Sequence, residues 1–146
     1  MRVPIFFLLS VIAFAFPLRV TKAEEISILL EYAKAGDVGA QVAAADIYFE
    51  SGEYKKAFDL YLNAADQYDA TAESSVGVYY YWGGLGVDQN YTTAFQFFQR
   101  AAAKEDVVAF RFLSLAYYYG HGVQQNYYHS LYWLDKFRLA TLKNKK

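Results

Sequence analysis

Gly120-His121-Gly122-Val123, followed shortly by Asn126-Tyr127, restates Gly84-Leu85-Gly86-Val87 and Asn90-Tyr91, 36 residues earlier. A phrase returning at a fixed interval of this size marks stacked helical hairpins, because each hairpin buries its apolar face only against a neighbour. The repeat extends back to a third unit. Tyr54, Tyr91 and Tyr127 align, as do Ala57, Ala94 and Ser130, at spacings of 37 and 36.

Within each unit, small and apolar residues first recur at helical spacing: Ala40, Ala44 and Tyr48, then Ala72, Val76, Gly77 and Tyr80, then Ala109, Leu113 and Tyr117. Glycines end this first helix in the last two units, supplying the cramped backbone of a tight link. The spacing predicts second helices over 54–65, 91–102 and 127 to about 140, with Asn90 and Asn126 as helix caps. A further helix is expected at about 25–35, stopped by Gly36, with Asp37 capping the next. The expectation is an all-α chain of about seven helices without strands. Paired alanines at 64–65 and 101–102 let hairpins approach closely.

The run Leu113 to Val123, with Asn126-Tyr127 and Trp133 behind it, resembles the Sel-one-like repeat, a relative of the tetratricopeptide repeat. The middle unit resembles it through Val76-Gly77, Tyr80, Gly84, Gly86-Val87, Tyr91, Ala94, Phe97-Phe98 and Ala101-Ala102. The resemblance implies a right-handed α-solenoid of antiparallel helix pairs, with repeats at about 37–67, 69–104 and 106–140 in a domain spanning 24–142. Three departures stand out. The first unit has only Ser51-Gly52-Glu53 as its link, and the middle unit carries one extra residue in the Tyr79 to Gly83 stretch. Tyr68 and Glu105 stand where the pattern has glycine, so those junctions should be strained or differently closed. In the last unit Phe137-Arg138 replaces the alanine pair, as suits a terminal helix with a wet outer side.

Arg2, the apolar run Ile5 to Phe16 and Thr21-Lys22-Ala23 have the layout of a signal peptide over 1–23, cleaved after Ala23. Arg19 and Lys22 are unusual after such a run. A periplasmic or secreted protein is expected. The chain has no cysteine, so disulfides, thiol catalysis and thiolate metal sites are ruled out. Asn90-Tyr91-Thr92 matches a glycosylation acceptor at a position better read as a cap. The 15 Tyr, 12 Phe and 2 Trp argue against disorder and for aromatic packing. Residues 24–99 hold twelve acids against three lysines, whereas 100–146 hold eight bases against three acids, making the chain acidic at one end and basic at the other.

In the related tetratricopeptide geometry the first helix of each hairpin lines the concave side. Carried onto this chain, the partner-binding positions are Val42, Asp46 and Phe49, then Ser74, Val78, Tyr81 and Trp82, then Arg111, Leu115, Tyr118 and Tyr119. Tyr and Trp are favoured anchors, offering large area with few rotors. The triplets Tyr79-Tyr80-Tyr81 and Tyr117-Tyr118-Tyr119 should each leave a ring exposed, since three consecutive residues cannot share one helix face.

Catalytic candidates are lacking. His121 and His129 have no thiol, paired carboxylate or second histidine placed to work with them, so both read as surface residues. Gly83-Gly84-Leu85-Gly86 lacks the lysine of a phosphate loop. No cofactor, metal or nucleic acid is expected, and the basic tail at 143–146 offers at most weak membrane contact. The expectation is a non-enzymatic protein, monomeric when free, that binds another protein. The resemblance implies scaffold, adaptor, periplasmic inhibitor or host-interaction roles. An immunity protein blocking a toxin effector suits a short single-domain chain best, with an envelope regulator or adaptor second and an enzyme or cell-wall-binding module as the rival of a different class.

Overall fold

The computed structural model describes residues 21–143, so the predicted leader and basic tail lie almost wholly outside the described residues. Seven helices follow one another: α1 Lys22–Lys34, α2 Val38–Glu50, α3 Tyr54–Ala65, α4 Ala70–Trp82, α5 Tyr91–Ala102, α6 Val107–Tyr119 and α7 Tyr127–Lys143. Among the described residues there is no strand. Each helix packs chiefly on its neighbours in sequence, giving an α-solenoid of three hairpins, α2–α3, α4–α5 and α6–α7, with α1 before them. No helix among the described residues is long and apolar enough to cross a membrane.

The helix starts follow from local chemistry. Asp37, Asp69 and Asp106 each accept a bond from the backbone N–H three residues on, at 2.7–2.8 Å. Asn90 and Asn126 do the same for α5 and α7, as their expected role as caps requires. The leading helix begins three residues earlier than expected. Thr21 and Glu24 form a reciprocal capping box, which draws Lys22 and Ala23 into its first turn.

The junctions between units close identically with three different residues. Gly36, Tyr68 and Glu105 all have φ between 62° and 93°. For Tyr68 and Glu105 this left-handed backbone costs roughly 1–2 kcal/mol each, as the missing glycines imply. Within the last hairpin one glycine is required sterically. At Gly122, with φ 73°, a Cβ would lie 2.2 Å from the Tyr91 carbonyl oxygen, because the loop rides directly over the start of α5.

Two cores run along the stack. One joins α2, α3 and α4 around Ala57, Phe58, Tyr61, Val76 and Tyr79; the other joins α4 to α7 around Phe98, Phe110 and Leu113. Ala64, Ala65 and Ala101 are fully buried, and Gly77 lets Phe98 lie against the α4 backbone. A buried carboxylate clamps this layer. Glu73 is wholly inaccessible, and its Oε1 accepts from Arg100 Nε at 3.0 Å while Oε2 accepts from Lys104 Nζ at 2.6 Å. Arg100 also donates to the Ala65 carbonyl at the end of α3, tying two hairpins together.

Candidate functional site

The first helices of the three hairpins line one depression. Phe49 from α2, Thr71, Ser74, Ser75 and Val78 from α4, and Asp106 and Val108 from the start of α6 surround a concavity of about 220 Å³, with Tyr61 and Tyr79 also on its wall. Phe49 is 42% exposed and Val108 45% exposed, so apolar surface meets solvent there. The volume lies below the roughly 300–1,000 Å³ of small-molecule sites and suits a single apolar side chain instead. A larger hollow of about 530 Å³ lies between the start of α6 and the end of α7. The Lys136–Glu105 ion pair lines it, at 3.0 Å.

Polar groups ring the smaller depression. Asp46 accepts from the Tyr61 hydroxyl; burial, and then the Asp46 carboxylate, push the Tyr61 hydroxyl well above the usual phenol range. Tyr79 donates to the Tyr54 carbonyl at 3.0 Å, and burial pushes its hydroxyl up to about 12. The Asp106 carboxyl is raised by burial, although the bond from the Ala109 backbone N–H opposes the shift.

The eleven positions expected on the partner face divide into four groups. Phe49 and Val78 lie at the depression, with Asp46 beside it through Tyr61. Ser74 and Tyr81 are buried. Ser74 is 2% exposed, on the floor, with its hydroxyl on the Thr71 carbonyl. Tyr81 is 5% exposed, and its ring meets Phe112 at 5.1 Å while its hydroxyl bonds His121 Nδ1 at 2.9 Å. Both are covered because α4 has a hairpin on either side of it. Val42 is half-buried against the first core, and Leu115 is also half-buried. Arg111 is exposed, and Trp82, Tyr118 and Tyr119 are exposed at the helix ends beside the glycine loops; none of the four lines the depression.

The tyrosine triplets behave differently from each other. Tyr79 and Tyr81 are buried and Tyr80 half-buried against Phe97, so the first triplet leaves no ring fully exposed, contrary to expectation. Tyr79 turns toward the first hairpin and Tyr81 toward the third. Among the described residues no hairpin follows the second triplet, and Tyr118 and Tyr119 are exposed. Nor is His121 a simple surface residue: it is half-buried and stacks on Tyr91 at 4.0 Å. His129 is exposed, with its ring stacked on Tyr117. Sequence reasoning missed Val108, although it stands 37 residues after Thr71 and so occupies the same place in its repeat.

Among the described residues no group of His, Asp and Glu is placed to hold a metal ion. The Sel1 repeat model matches residues 40–69, 70–106 and 111–137. The chain belongs to the Sel1 repeat family. Sel1 repeats generally mediate binding to another protein. It is similar, at 38% identity over 79 residues, to the ERAD-associated E3 ubiquitin-protein ligase component HRD3 of Candida glabrata. That match covers 54% of this chain and 9% of HRD3. Among solved structures it is similar to c5321, a protective antigen present in uropathogenic Escherichia coli strains displaying an SLR fold. The TM-score is 0.74 and the identity 30%, over 79% of this chain and 25% of that one. A Sel1 repeat protein from Oxalobacter formigenes shares the fold at TM-score 0.73 and 24% identity, over 86% of this chain and 99% of the other.

Proposed function

We propose that the protein is exported and binds a segment of another protein across the face formed by α2, α4 and α6, seating an apolar side chain against Phe49, Val78 and Val108. The observation that carries this reading is the depression itself: apolar surface open to solvent where three repeats of a protein-binding family meet. Asp46 beside it, and the excess of acids over residues 24–99, favour a partner segment with a basic residue next to its apolar anchor. The signal-like leader supports export to the periplasm or beyond.

The narrower reading is a stoichiometric inhibitor, such as an immunity protein that neutralises a toxin effector. Its support is the signal-like leader placed directly before a repeat domain. An adaptor or regulator of envelope assembly is the second reading. The match to HRD3, named as a component of a ligase, favours it.

Affinity capture from the native envelope extract tests the common core of both readings. Wild-type protein should retain a partner, and Val78→Glu with Val108→Glu should lose it while the helical circular dichroism is unchanged; equal capture by the variant removes the depression from the function. An inhibitor gives a single partner at equal stoichiometry whose toxicity it suppresses on co-expression. An adaptor brings down several envelope components.

A further inference from the structure

Helix α7, the last of the described helices, is not polar on its outer side. The places held by Phe58 and Phe95, and by Tyr61 and Phe98, are buried in the first two hairpins because the next hairpin's first helix covers them: Phe58 meets Tyr79 and Tyr80, Phe95 meets Tyr117, and Phe98 meets Phe112. On α7 the same places are Leu131 and Leu134, 58% and 39% exposed. Leu139 and Leu142 are each 61% exposed as well. Ser130 is the one buried residue of α7. This contrasts with the wet outer face expected from Arg138 and the lysines.

The exposed residues follow a pattern. Positions 131, 135, 138 and 142 succeed each other at intervals of 4, 3 and 4, the seam spacing of a coiled coil, and read Leu, Asp, Arg, Leu. We infer that α7 pairs with α7 of a second copy, antiparallel about a two-fold axis passing between residues 136 and 137. In that register Leu131 faces Leu142 of the second copy, and Asp135 faces Arg138 of the second copy, each twice by symmetry. A parallel pairing would set Asp135 against Asp135 and Arg138 against Arg138, so the charges select the antiparallel one. Within one chain Asp135 and Arg138 approach only to 3.6 Å, with both side chains 70% exposed, which leaves them free to pair across the axis. Leu134 and Leu139 flank the seam. A closed, self-complementary contact of this kind is the commonest form of oligomer. It departs from the monomer expected from the sequence.

The contact is short. From residue 131 to 142 the helix runs roughly 17 Å, so the interface falls below the standard size of about 800 Å² per partner, and dissociation is expected in the micromolar range. Sedimentation velocity on the intact protein across concentration is the test. The protein should pass from monomer at about 1 μM to mostly dimer by about 200 μM, in keeping with a weak interface. Leu131→Glu with Leu142→Glu should remain monomeric throughout. Asp135→Arg should weaken association at least tenfold, and Asp135→Arg with Arg138→Asp should restore it, a rescue that no folding defect mimics. A monomer at about 200 μM, a dimer indifferent to the leucine substitutions, or a charge exchange that restores nothing would overturn the pairing. None of these outcomes bears on the depression of α2, α4 and α6, which lies on other helices.

Discussion

The Glu73 clamp predicts an unequal response to losing either side. The carboxylate is fully buried, whereas the side chains of Arg100 and Lys104 are 41% and 37% exposed. Replacing Glu73 with Gln removes the charge from two charge-assisted contacts, yet both cations have solvent within reach and can turn into it. Such bonds contribute about 1.5–3 kcal/mol each, but solvent access to the cations discounts the sum, so a net loss of about 2 kcal/mol is expected. Replacing Arg100 with Met is worse. It strips the buried carboxylate of its fork, leaves the Ala65 carbonyl without that donor, and removes the guanidinium from over the Phe97 and Tyr68 rings. A buried charge deprived of a partner costs about 3–5 kcal/mol, and the surviving Lys104 contact places this variant at the lower end. At roughly 3–5 °C per kcal/mol for a domain of this size, Glu73→Gln should lower Tm by about 6–10 °C and Arg100→Met by about 9–15 °C. Glu73→Gln combined with Arg100→Met should cost less than the sum of the two single changes, since the double variant leaves no buried charge unpaired. Thermal unfolding followed by helical circular dichroism measures all four proteins. The reasoning fails if Glu73→Gln proves the more damaging of the first two, or if the double variant is additive.

Three further outcomes follow from particular residues. Gly122→Ala forces a methyl into the Tyr91 carbonyl and strains a φ of 73°, so Tm should fall by the equivalent of about 2 kcal/mol or more; an unchanged Tm would mean that the loop does not sit on α5. Asp106→Asn keeps the cap without burying a charge. Because the folded carboxyl is raised above its unfolded value, wild-type stability is fullest below that unfolded value and falls as pH rises through the folded one. The Asn variant should therefore melt higher at pH 7, with the advantage disappearing in acid, and a constant difference at all pH would contradict this. At Glu105, with φ 62°, Gly should stabilise by up to about 1 kcal/mol, the relief of the left-handed backbone less the extra freedom of glycine in the unfolded chain, while β-branched Val should destabilise, and the reverse order in denaturant titration would deny the strain.

The hairpins were legible because the repeat fixes them twice, once through apolar spacing and again through Asp69, Asp106, Asn90 and Asn126, whose caps act locally. Strain at Tyr68 and Glu105 was legible for the same reason: a left-handed turn was required where no glycine stood. The start of α1 was missed although Thr21 and Glu24 spell its capping box, because Thr21 falls in the expected leader, which ends at Ala23. The face of a side chain within the stack was harder to read. Tyr81 and Trp82 are adjacent and chemically alike, yet one is core and the other solvent-exposed. Only the third hairpin, bringing Phe112 and His121 over Tyr81, decides between them. Glu73 likewise counts among the acids of the sequence, and its burial depends on Arg100 and Lys104 arriving from 27 and 31 residues away.

The central claim is that the depression between the hairpins receives a protein partner's apolar side chain, and site-directed photocrosslinking in the native envelope tests it most directly. A photoreactive residue at Val108 should crosslink the same partner that wild-type protein captures, whereas one at Asp59, exposed on α3, should not. Equal yields from the two positions, or a partner crosslinked only from Asp59, would contradict the account.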